Sequence, residues 1–224
     1  MISKLILQTF VWFGVMGALL FLSAGTLHWL GAWAYLVVMV GLSLTLGVAL
    51  ARRDPGLMNE RLSPPIQKNQ PATDKVLLSI LLLAIVGWLA LMGFDFRFGW
   101  SAVPVWVQVV GAAVLLLGIW ICYRTMLENS FAAPVVKIQD ERGQYVITTG
   151  PYSYVRHPMY AGAIFYFAGT ALLLGSWWGL ASVLVFIVLL AIRTFIEEKT
   201  RRTGFRGYDD YAANVRYRLI PLVW

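Results

Sequence analysis

The sequence has little charge and almost no cysteine. Only 13% of its 224 residues are charged, whereas 59% are hydrophobic and the mean hydropathy is +0.71. A soluble domain carries about 25% charged residues, so this composition excludes an ordinary soluble protein. The single cysteine, Cys122, excludes an internal disulfide, and its apolar surroundings indicate a packing residue. The composition therefore predicts a polytopic membrane protein.

The apolar runs favour membrane-spanning helices. About 20 apolar residues cross a bilayer as a helix, whereas transmembrane barrels show only short alternating segments. Such runs fall at about 5–23, 29–50, 76–94 and 103–123, and a longer run covers about 161–192. We predict a single all-α membrane domain, with four transmembrane helices in residues 1–123 and a C-terminal core in residues 124–224.

The run at 161–192 is too long for one crossing. We interpret it as a tight hairpin of two short helices that turns near Gly175 and Ser176. With six crossings, Arg97 is the only one of the 18 lysines and arginines on its side of the membrane, whereas five crossings split them 10 to 8. Positive charge collects on the cytoplasmic side, so about six crossings with both termini cytoplasmic are favoured. In a bacterium the membrane would be the inner, or plasma, membrane.

This topology also explains the net charge of +7. We predict no nucleic-acid partner, and attraction to anionic membrane lipids is the secondary interpretation.

The first run ends in Ser23, Ala24 and Gly25, which also fits a cleaved signal peptide. A retained first helix is favoured because the run is long and a second one follows at once. Tryptophans, which gather at membrane interfaces, flank the three predicted outer turns: Trp29 and Trp33, Trp100 and Trp106, Trp177 and Trp178.

Two polar segments separate the apolar runs. The proline-rich segment 52–75 is typical of a solvated connector with a short interfacial stretch at 57–62. The segment 135–147 mixes β-branched and charged residues before the turn signal at Gly150 and Pro151, which indicates an ordered, non-helical layer on the bundle.

The stretch GPYSYVRHPMYAG, residues 150–162, is the first candidate site. Pro158 fits the first position of a helix, which places His157 at or near the N-cap, where free N–H groups favour an anion. Arg156 and His157 could therefore meet a carboxylate, and three tyrosines add aromatic faces and hydroxyls: Tyr152, Tyr154 and Tyr160. The alternative is an interfacial belt in which Arg156 reaches lipid headgroups.

The second candidate cluster is Arg193, Glu197 and Glu198, at the end of the long run. The hairpin returns these side chains to the membrane face that carries His157, and charges are costly there unless they face a cavity. Arg193 and Glu197 are four apart and close enough to pair, although the cluster could also merely solvate a helix end. The tail then predicts an amphipathic helix over 208–215, which could lie on the membrane or cover the site.

Together these segments resemble the isoprenylcysteine carboxyl methyltransferase family and, more broadly, the membrane methyltransferases that include phospholipid N-methyltransferases. The resemblance covers roughly residues 135–221 and rests on GPYSYVRHPMYAG, RTFIEE and GYDDYAANVRYRLIP. It implies an S-adenosylmethionine-dependent enzyme that releases S-adenosylhomocysteine, with a cytoplasmic cofactor pocket and no soluble Rossmann domain. The chain indeed has no strand-GxGxxG-helix unit. Residues 124–224 would then be the methyltransferase core.

The resemblance also implies roles for individual residues. The expected cofactor contacts are Gln144, Tyr145, Val146, Ile147, Tyr152, His157, Pro158, Met159, Tyr160 and a glutamate of the last helix. Spacing from Arg193 selects Glu197 for that acid, whereas spacing from the RHPMY box selects Glu198, so both stay open. Arg193 is tied to substrate binding, and Arg193 and His157 are the expected catalytic residues. No metal is expected.

We predict methyl transfer to a lipid-like or isoprenoid-tailed acceptor, most simply at a carboxylate. A carboxylate is already ionised and needs no general base, so positioning by Arg193 would suffice. The first alternative is N-methylation of a phospholipid headgroup, with His157 as candidate base. The second is a sterol-type NADPH membrane reductase, which is disfavoured because Met159 and Ala161 depart from its RHPNY box. A non-enzymatic bundle is disfavoured because the apolar runs contain almost no polar residues.

The oligomeric state is open at this stage. Gly162 and Gly169 would suit close helix packing, either inside the predicted hairpin or between two copies of the chain.

Overall fold

Helices are the regular elements of residues 1–67, 70–205 and 207–224, the part of the chain that this computed structural model describes. The helices are α1 Ile2–Ala24, α2 Leu30–Arg53, α3 Pro55–Arg61, α4 Ala72–Phe98, α5 Val105–Glu128, α6 Pro158–Leu173, α7 Trp177–Ala181, α8 Val183–Gly204 and α9 Tyr208–Asn214. These residues contain no strand, so the predicted all-α class is confirmed. Lys68 and Arg206, which enter the charge count, lie outside the described residues.

Within the described residues, five helical segments are long and apolar enough to cross a membrane: α1, α2, α4, α5 and the continuous α7–α8 segment. Helix α6 is shorter, with 16 residues. The predicted turn is confirmed, because Gly175 adopts a left-handed conformation (φ 76°) after α6 and the Ser176 hydroxyl caps α7 by accepting from Gly179 N. Only the first leg is short as predicted, since the α7–α8 segment covers 28 residues. The sixth crossing itself stays a prediction.

Three turns meet at one end of the bundle. The Asp95 carboxylate near the end of α4 accepts hydrogen bonds from the hydroxyls of Ser101 and Ser176, and the rings of Trp29 and Phe96 stack at 4.6 Å. Arg97 belongs to this end, and the alternating helix directions carry the other described lysines and arginines to the opposite end. The bundle is thus polarised as the charge count predicts.

The core lies between α4, α6 and α8. The rings of Trp88, Phe167 and Phe186 contact one another, with centroid distances of 5.4 Å (Trp88–Phe167), 5.3 Å (Trp88–Phe186) and 4.1 Å (Phe167–Phe186). Aromatic groups of this size bury large apolar areas, so this cluster fixes the three helices that carry the polar site above it.

Helix α6 packs most closely on α5. A Cβ atom on Gly118 would lie 2.7 Å from the Gly162 carbonyl oxygen, and one on Gly169 would lie 2.2 Å from Leu115 N. Only glycine permits such an approach of two helix backbones. Gly162 and Gly169 therefore face α5, which is neither the hairpin partner nor a second copy of the chain.

The two polar connectors are ordered. In the first, Asp54 caps α3 by accepting from Leu57 N at 2.8 Å, and the buried Leu57 and Met58 pack in a cluster with Leu5 and Leu50. The predicted interfacial stretch is thus a short helix attached to α1 and α2. The second connector, residues 129–157, is non-helical except for single 3-10 turns at Asp140–Arg142 and Gly150–Ser153.

Candidate active site

The RHP segment stands at the start of α6, held by the C-terminal tail. His157 occupies the N-cap and Pro158 the first helical position, as predicted, although the His157 side chain makes no cap hydrogen bond. The backbone N–H of Arg156 donates to the carbonyl of Tyr217, and that of His157 donates to Arg218, both at 2.9 Å. The tail therefore fixes the segment from which both basic side chains project.

Glu198 is a buried carboxylate surrounded by basic groups. Its Oε1 accepts from Arg156 Nε at 2.7 Å and lies 3.4 Å from His157 Nε2, while its Oε2 accepts from Arg218 Nε at 3.2 Å. Only 4% of the residue is exposed. The carboxylate that we expected Arg156 and His157 to meet is thus supplied by the chain itself, and it ties α8, the RHP segment and the tail together.

Glu197 points in a different direction, into a cavity. Its Oε2 accepts from the Tyr160 hydroxyl at 2.6 Å and lies 3.6 Å from His157 Nδ1. Its Oε1 accepts from Arg201 Nη2 at 2.5 Å. Glu197 thus pairs with the arginine four residues after it, in the favourable order, and forms no ion pair with Arg193. The imidazole of His157 lies between the two acids.

Arg193 is held by an acid from another helix. Its Nε donates to Asp74 Oδ1 at 3.1 Å and its Nη2 donates to the Pro134 carbonyl at 2.6 Å, while its guanidinium lies 5.7 Å from the Tyr160 ring centroid. Asp74 is fully buried, and its second oxygen accepts from Val136 N at 3.0 Å. Asp74 therefore fixes both Arg193 and the loop that closes the cavity.

The cavity has a volume of about 290 Å³. Seven of the sequence-predicted residues line it: Gln144, Tyr152, His157, Met159, Tyr160, Arg193 and Glu197. Deeper in the bundle its wall becomes apolar, with Leu81 of α4, Ala163 of α6 and Leu190 of α8. One continuous space therefore joins a charged upper part to an apolar lower part.

The other predicted contacts do not line this cavity. Tyr145 is 65% exposed and its ring meets Phe131 edge-on at 5.5 Å, whereas Val146 and Ile147 pack on a cluster of buried tyrosines. Pro158 is buried at the start of α6, and Glu198 lies behind the wall. These five residues adjoin residues that line the cavity but do not line it themselves.

The tail helix α9 packs on Tyr152, one of the residues that line the cavity. Tyr208 and Tyr211 are buried against Tyr152, and the Tyr211 hydroxyl donates to the Tyr152 carbonyl at 2.8 Å. Burial raises the pKa of Tyr152 and raises that of Tyr208 to about 12, so both hydroxyls stay neutral at physiological pH. Of the two roles left open for this helix, the packing supports the cover. Tyr154, by contrast, is 72% exposed and lies outside the cavity.

Sequence reasoning missed four residues that build the site: Arg61, Asp74, Asn129 and Arg201. Arg201 had a readable signal, because it follows Glu197 by four residues. Asn129, which donates to the Tyr152 hydroxyl at 2.7 Å, had none, since side chains 23 residues apart meet only in the fold. Asp74 and Arg61 lie outside the segments that carry the family resemblance.

The region that holds the site also matches a known family. Residues 106–206 match the phospholipid methyltransferase family. This segment includes α5, α6 and the helix that carries Arg193, Glu197 and Glu198, and the match confirms the predicted resemblance to membrane methyltransferases. It begins earlier in the chain than the motifs that carried the resemblance.

The whole chain shares its fold with a solved membrane enzyme. This is a eukaryotic intramembrane Ras methyltransferase, an isoprenylcysteine carboxyl methyltransferase, with a TM-score of 0.57 and 21% sequence identity over 99% of this chain and 98% of that chain. At this identity the likeness shows the fold alone, but it extends to the N-terminal helices, where the resemblance had rested on hydrophobicity. No curated protein matches the chain by sequence. The family match indicates a methyltransferase, and the fold with its apolar helices indicates a membrane protein.

The cavity residues of this methyltransferase-like site fit S-adenosylmethionine chemically. The Glu197 carboxylate suits an ammonium group or ribose hydroxyls, and the rings of Tyr152 and Tyr160 suit a purine. Basic side chains in the wall suit the carboxylate of the methionine part. The residues present therefore agree with the cofactor that the family implies.

Proposed function

We propose that the protein transfers a methyl group from S-adenosylmethionine to a carboxylate on a lipid-like or isoprenoid-tailed acceptor. The observation that carries this proposal is one continuous cavity, which is charged near Glu197 and Arg193 and apolar near Leu81 and Leu190. S-adenosylmethionine would supply an electrophilic methyl group, which bonds to an acceptor oxygen as its bond to sulfur breaks. The product cofactor is S-adenosylhomocysteine.

The cofactor side of the cavity is formed by α6, α8 and the loop before α6. Glu197, oriented by Arg201 and Tyr160, would bind the cofactor ammonium or ribose hydroxyls. Gln144, Tyr152 and Met159 would complete this wall. Of the two acids, we assign Glu197 to the cofactor and Glu198 to the support of the RHP segment.

The acceptor side centres on Arg193. Asp74 and Pro134 occupy its Nε and Nη2, so the guanidinium is already oriented before an acceptor arrives. An ionised carboxylate needs no base, and the reaction then depends on alignment of the two substrates and exclusion of water. Arg193 would provide the alignment, and α9 together with the 129–157 segment would limit access of water.

The depth of the cavity fits a membrane-embedded acceptor. Helix α6 runs from the RHP segment to the opposite turn in 16 residues, which corresponds to roughly 24 Å at 1.5 Å per residue. The hydrocarbon core of a bilayer is about 30 Å thick. The apolar lower part of the cavity therefore lies at the depth of lipid tails, so an acceptor can keep its tail in the bilayer.

The second candidate function is N-methylation of a phospholipid headgroup, which the name of the matched family favours. An ammonium group must lose a proton before it can attack. His157, with ring nitrogens 3.6 Å from Glu197 and 3.4 Å from Glu198, would be the group that accepts the proton. The family match weighs against the NADPH reductase considered from the sequence.

Radiolabelled methyl transfer separates the two functions. The full chain, reconstituted in lipid nanodiscs, is given S-adenosyl-methionine with a tritiated methyl group and either an S-farnesyl cysteine carboxylate or phosphatidylethanolamine. We expect label to appear in the farnesyl cysteine. Alkali should release this label as methanol, because of the two products only a methyl ester is base-labile. Base-stable label in the phospholipid would instead establish the second function, and no label in either acceptor would contradict both. Arg53→Gln, which removes an exposed positive charge at the end of α2 and outside the cavity, should transfer the same amount of label as the unaltered protein.

A further inference from the structure

One basic side chain in the cavity wall lacks an acidic partner. Four others line the cavity and each pairs with a carboxylate: Lys137 with Glu60 at 2.7 Å, Arg156 with Glu198 at 2.7 Å, Arg193 with Asp74 at 3.1 Å and Arg201 with Glu197 at 2.5 Å. Arg61 lines the same cavity and forms no salt bridge with any residue in the described part of the chain. The cavity therefore carries one uncompensated positive charge.

The guanidinium of Arg61 is available for a ligand. Its only hydrogen bond within residues 1–67, 70–205 and 207–224 runs from Nη1 to the Ala132 carbonyl at 3.0 Å. An arginine has five N–H donors, so most of them are unused. Burial lowers the pKa of Arg61, but an arginine remains charged at physiological pH.

The position of Arg61 is fixed by its helix. Leu57 and Met58 bury the inner face of α3, and the salt bridge of Glu60 with Lys137 fastens the same turn to the 129–157 segment. Cys122 and Met126 of α5 line the same cavity as Arg61. A cation held against such an apolar wall without a counter-charge carries a desolvation cost, which a bound anion would offset.

We propose that Arg61 binds the anionic group, a carboxylate or a phosphate, of an acceptor whose apolar tail lies in the lower part of the cavity. This inference rests on the proposed function and assigns the residue that recognises the anionic head of its acceptor. Arg193, whose charge Asp74 already balances, orients the head, whereas Arg61 supplies the net attraction. The helix that holds Arg61 contributes no residue to the expected cofactor wall.

Binding of three probes with one tail tests this assignment on the full chain in an uncharged maltoside detergent. The probes are S-farnesyl-N-acetylcysteine (a carboxylate), farnesyl phosphate and the neutral farnesol, and tryptophan fluorescence reports binding. We expect Arg61→Gln to weaken binding of the carboxylate, the phosphate or both by about tenfold or more, since one charged hydrogen-bonding contact is lost. The affinity for farnesol should stay unchanged. Arg61→Lys should be intermediate, and Arg53→Gln should match the unaltered protein. The more strongly weakened anion identifies the head group.

Three outcomes would overturn the proposal. Arg61→Gln could leave the affinity for both anions within about twofold of the unaltered protein. It could instead lower the affinity for farnesol as much as that for the anions, which would indicate a purely structural role. Arg61→Gln could also lower the affinity for S-adenosylhomocysteine by the same factor, which would assign Arg61 to the cofactor. Absence of S-adenosylhomocysteine binding and methyl transfer in the unaltered protein would instead reject the proposed function, while the probes still measure the anion site.

Discussion

Glu197 and Glu198 are neighbours in the chain, but a helix directs adjacent side chains about 100° apart, and here the two carboxylates meet different surroundings. Glu197 lines the cavity with Tyr160 and Arg201, while Glu198 is buried against Arg156, His157 and Arg218. A buried carboxylate that neutralises basic groups is costly to remove, because the groups left behind stay buried without a partner. At the scale of the residue, Glu197 therefore contributes to the cavity, whereas Glu198 stabilises the fold.

Replacement of Glu198 should reduce stability. We expect Glu198→Gln to lower the free energy of unfolding by about 3 kcal/mol, because it leaves Arg156 buried without its counter-charge. Asp209→Asn is the matched control. It breaks the pair of Asp209 with Arg202 on the surface, where the Asp209 side chain is 69% exposed, and should cost less than about 1 kcal/mol. Thermal unfolding in detergent measures both, and equal shifts in melting temperature would contradict the account.

Asp74 should act on the acceptor through Arg193. We expect Asp74→Asn to raise the KM for the acceptor, because Arg193 loses its orientation. The increase should be about tenfold, which corresponds to the loss of one charged hydrogen bond. The Kd for S-adenosylhomocysteine should stay within about twofold, since Asp74 is absent from the cofactor wall. Initial-rate kinetics and calorimetry on the same preparation separate the two effects. Equal losses of cofactor and acceptor affinity would show that Asp74 supports the fold alone.

At the scale of the element, α6 depends on its contact with α5. The RHP segment begins α6, so any displacement of this helix also moves His157 and Tyr160. The contact consists of backbone against backbone at Gly162 and Gly169, which leaves no room for a side chain. The position of the proposed cofactor wall therefore depends on small residues in the middle of the bundle.

A large side chain at this contact should disrupt the site. We expect Gly169→Leu to abolish S-adenosylhomocysteine binding and to lower the melting temperature, because the new side chain would overlap the α5 backbone at Leu115. Gly87→Leu is the matched control, since its position on α4 is exposed and has no neighbouring atom within 4 Å of an added Cβ. If both variants bind alike, α6 does not need this close approach.

The elements show which features local sequence can predict. The apolar runs, the helix start at Pro158 and the turn at Gly175 are local signals, and the structure has all three. Partners of buried charges are not local: Asp74 and Arg193 are 119 residues apart, and only the packing of α4 on α8 brings them together. The site's outline could thus be predicted, whereas its ion pairs, including the isolated Arg61, required the fold.

At the scale of the whole molecule, the charge distribution defines an orientation. Arg97 stands at one end of the bundle, and the RHP segment, the α8 acids and the tail stand at the other. By the positive-inside rule we predict that the second end faces the cytoplasm, from which S-adenosylmethionine would enter. Both termini would then be cytoplasmic.

Labelling of single cysteines tests this orientation. In a Cys122→Ser background, we expect Val223→Cys in the tail and Trp100→Cys in the opposite turn to react with a membrane-impermeant maleimide from opposite sides of sealed vesicles. Both positions are exposed, at 76% and 54%. Reaction of both from the same side would show that α6 and α7–α8 do not make two separate crossings.

The cavity beside Glu197 is the proposed binding site of the methyl-donor cofactor. Calorimetric titration of S-adenosylhomocysteine into the full chain in nanodiscs tests it most directly. We predict one saturable site whose affinity falls at least about tenfold in Glu197→Gln and is unchanged in Arg53→Gln, because only the first removes a charged partner of the ligand. Absence of saturable binding, or equal binding by Glu197→Gln and the unaltered protein, would contradict the account.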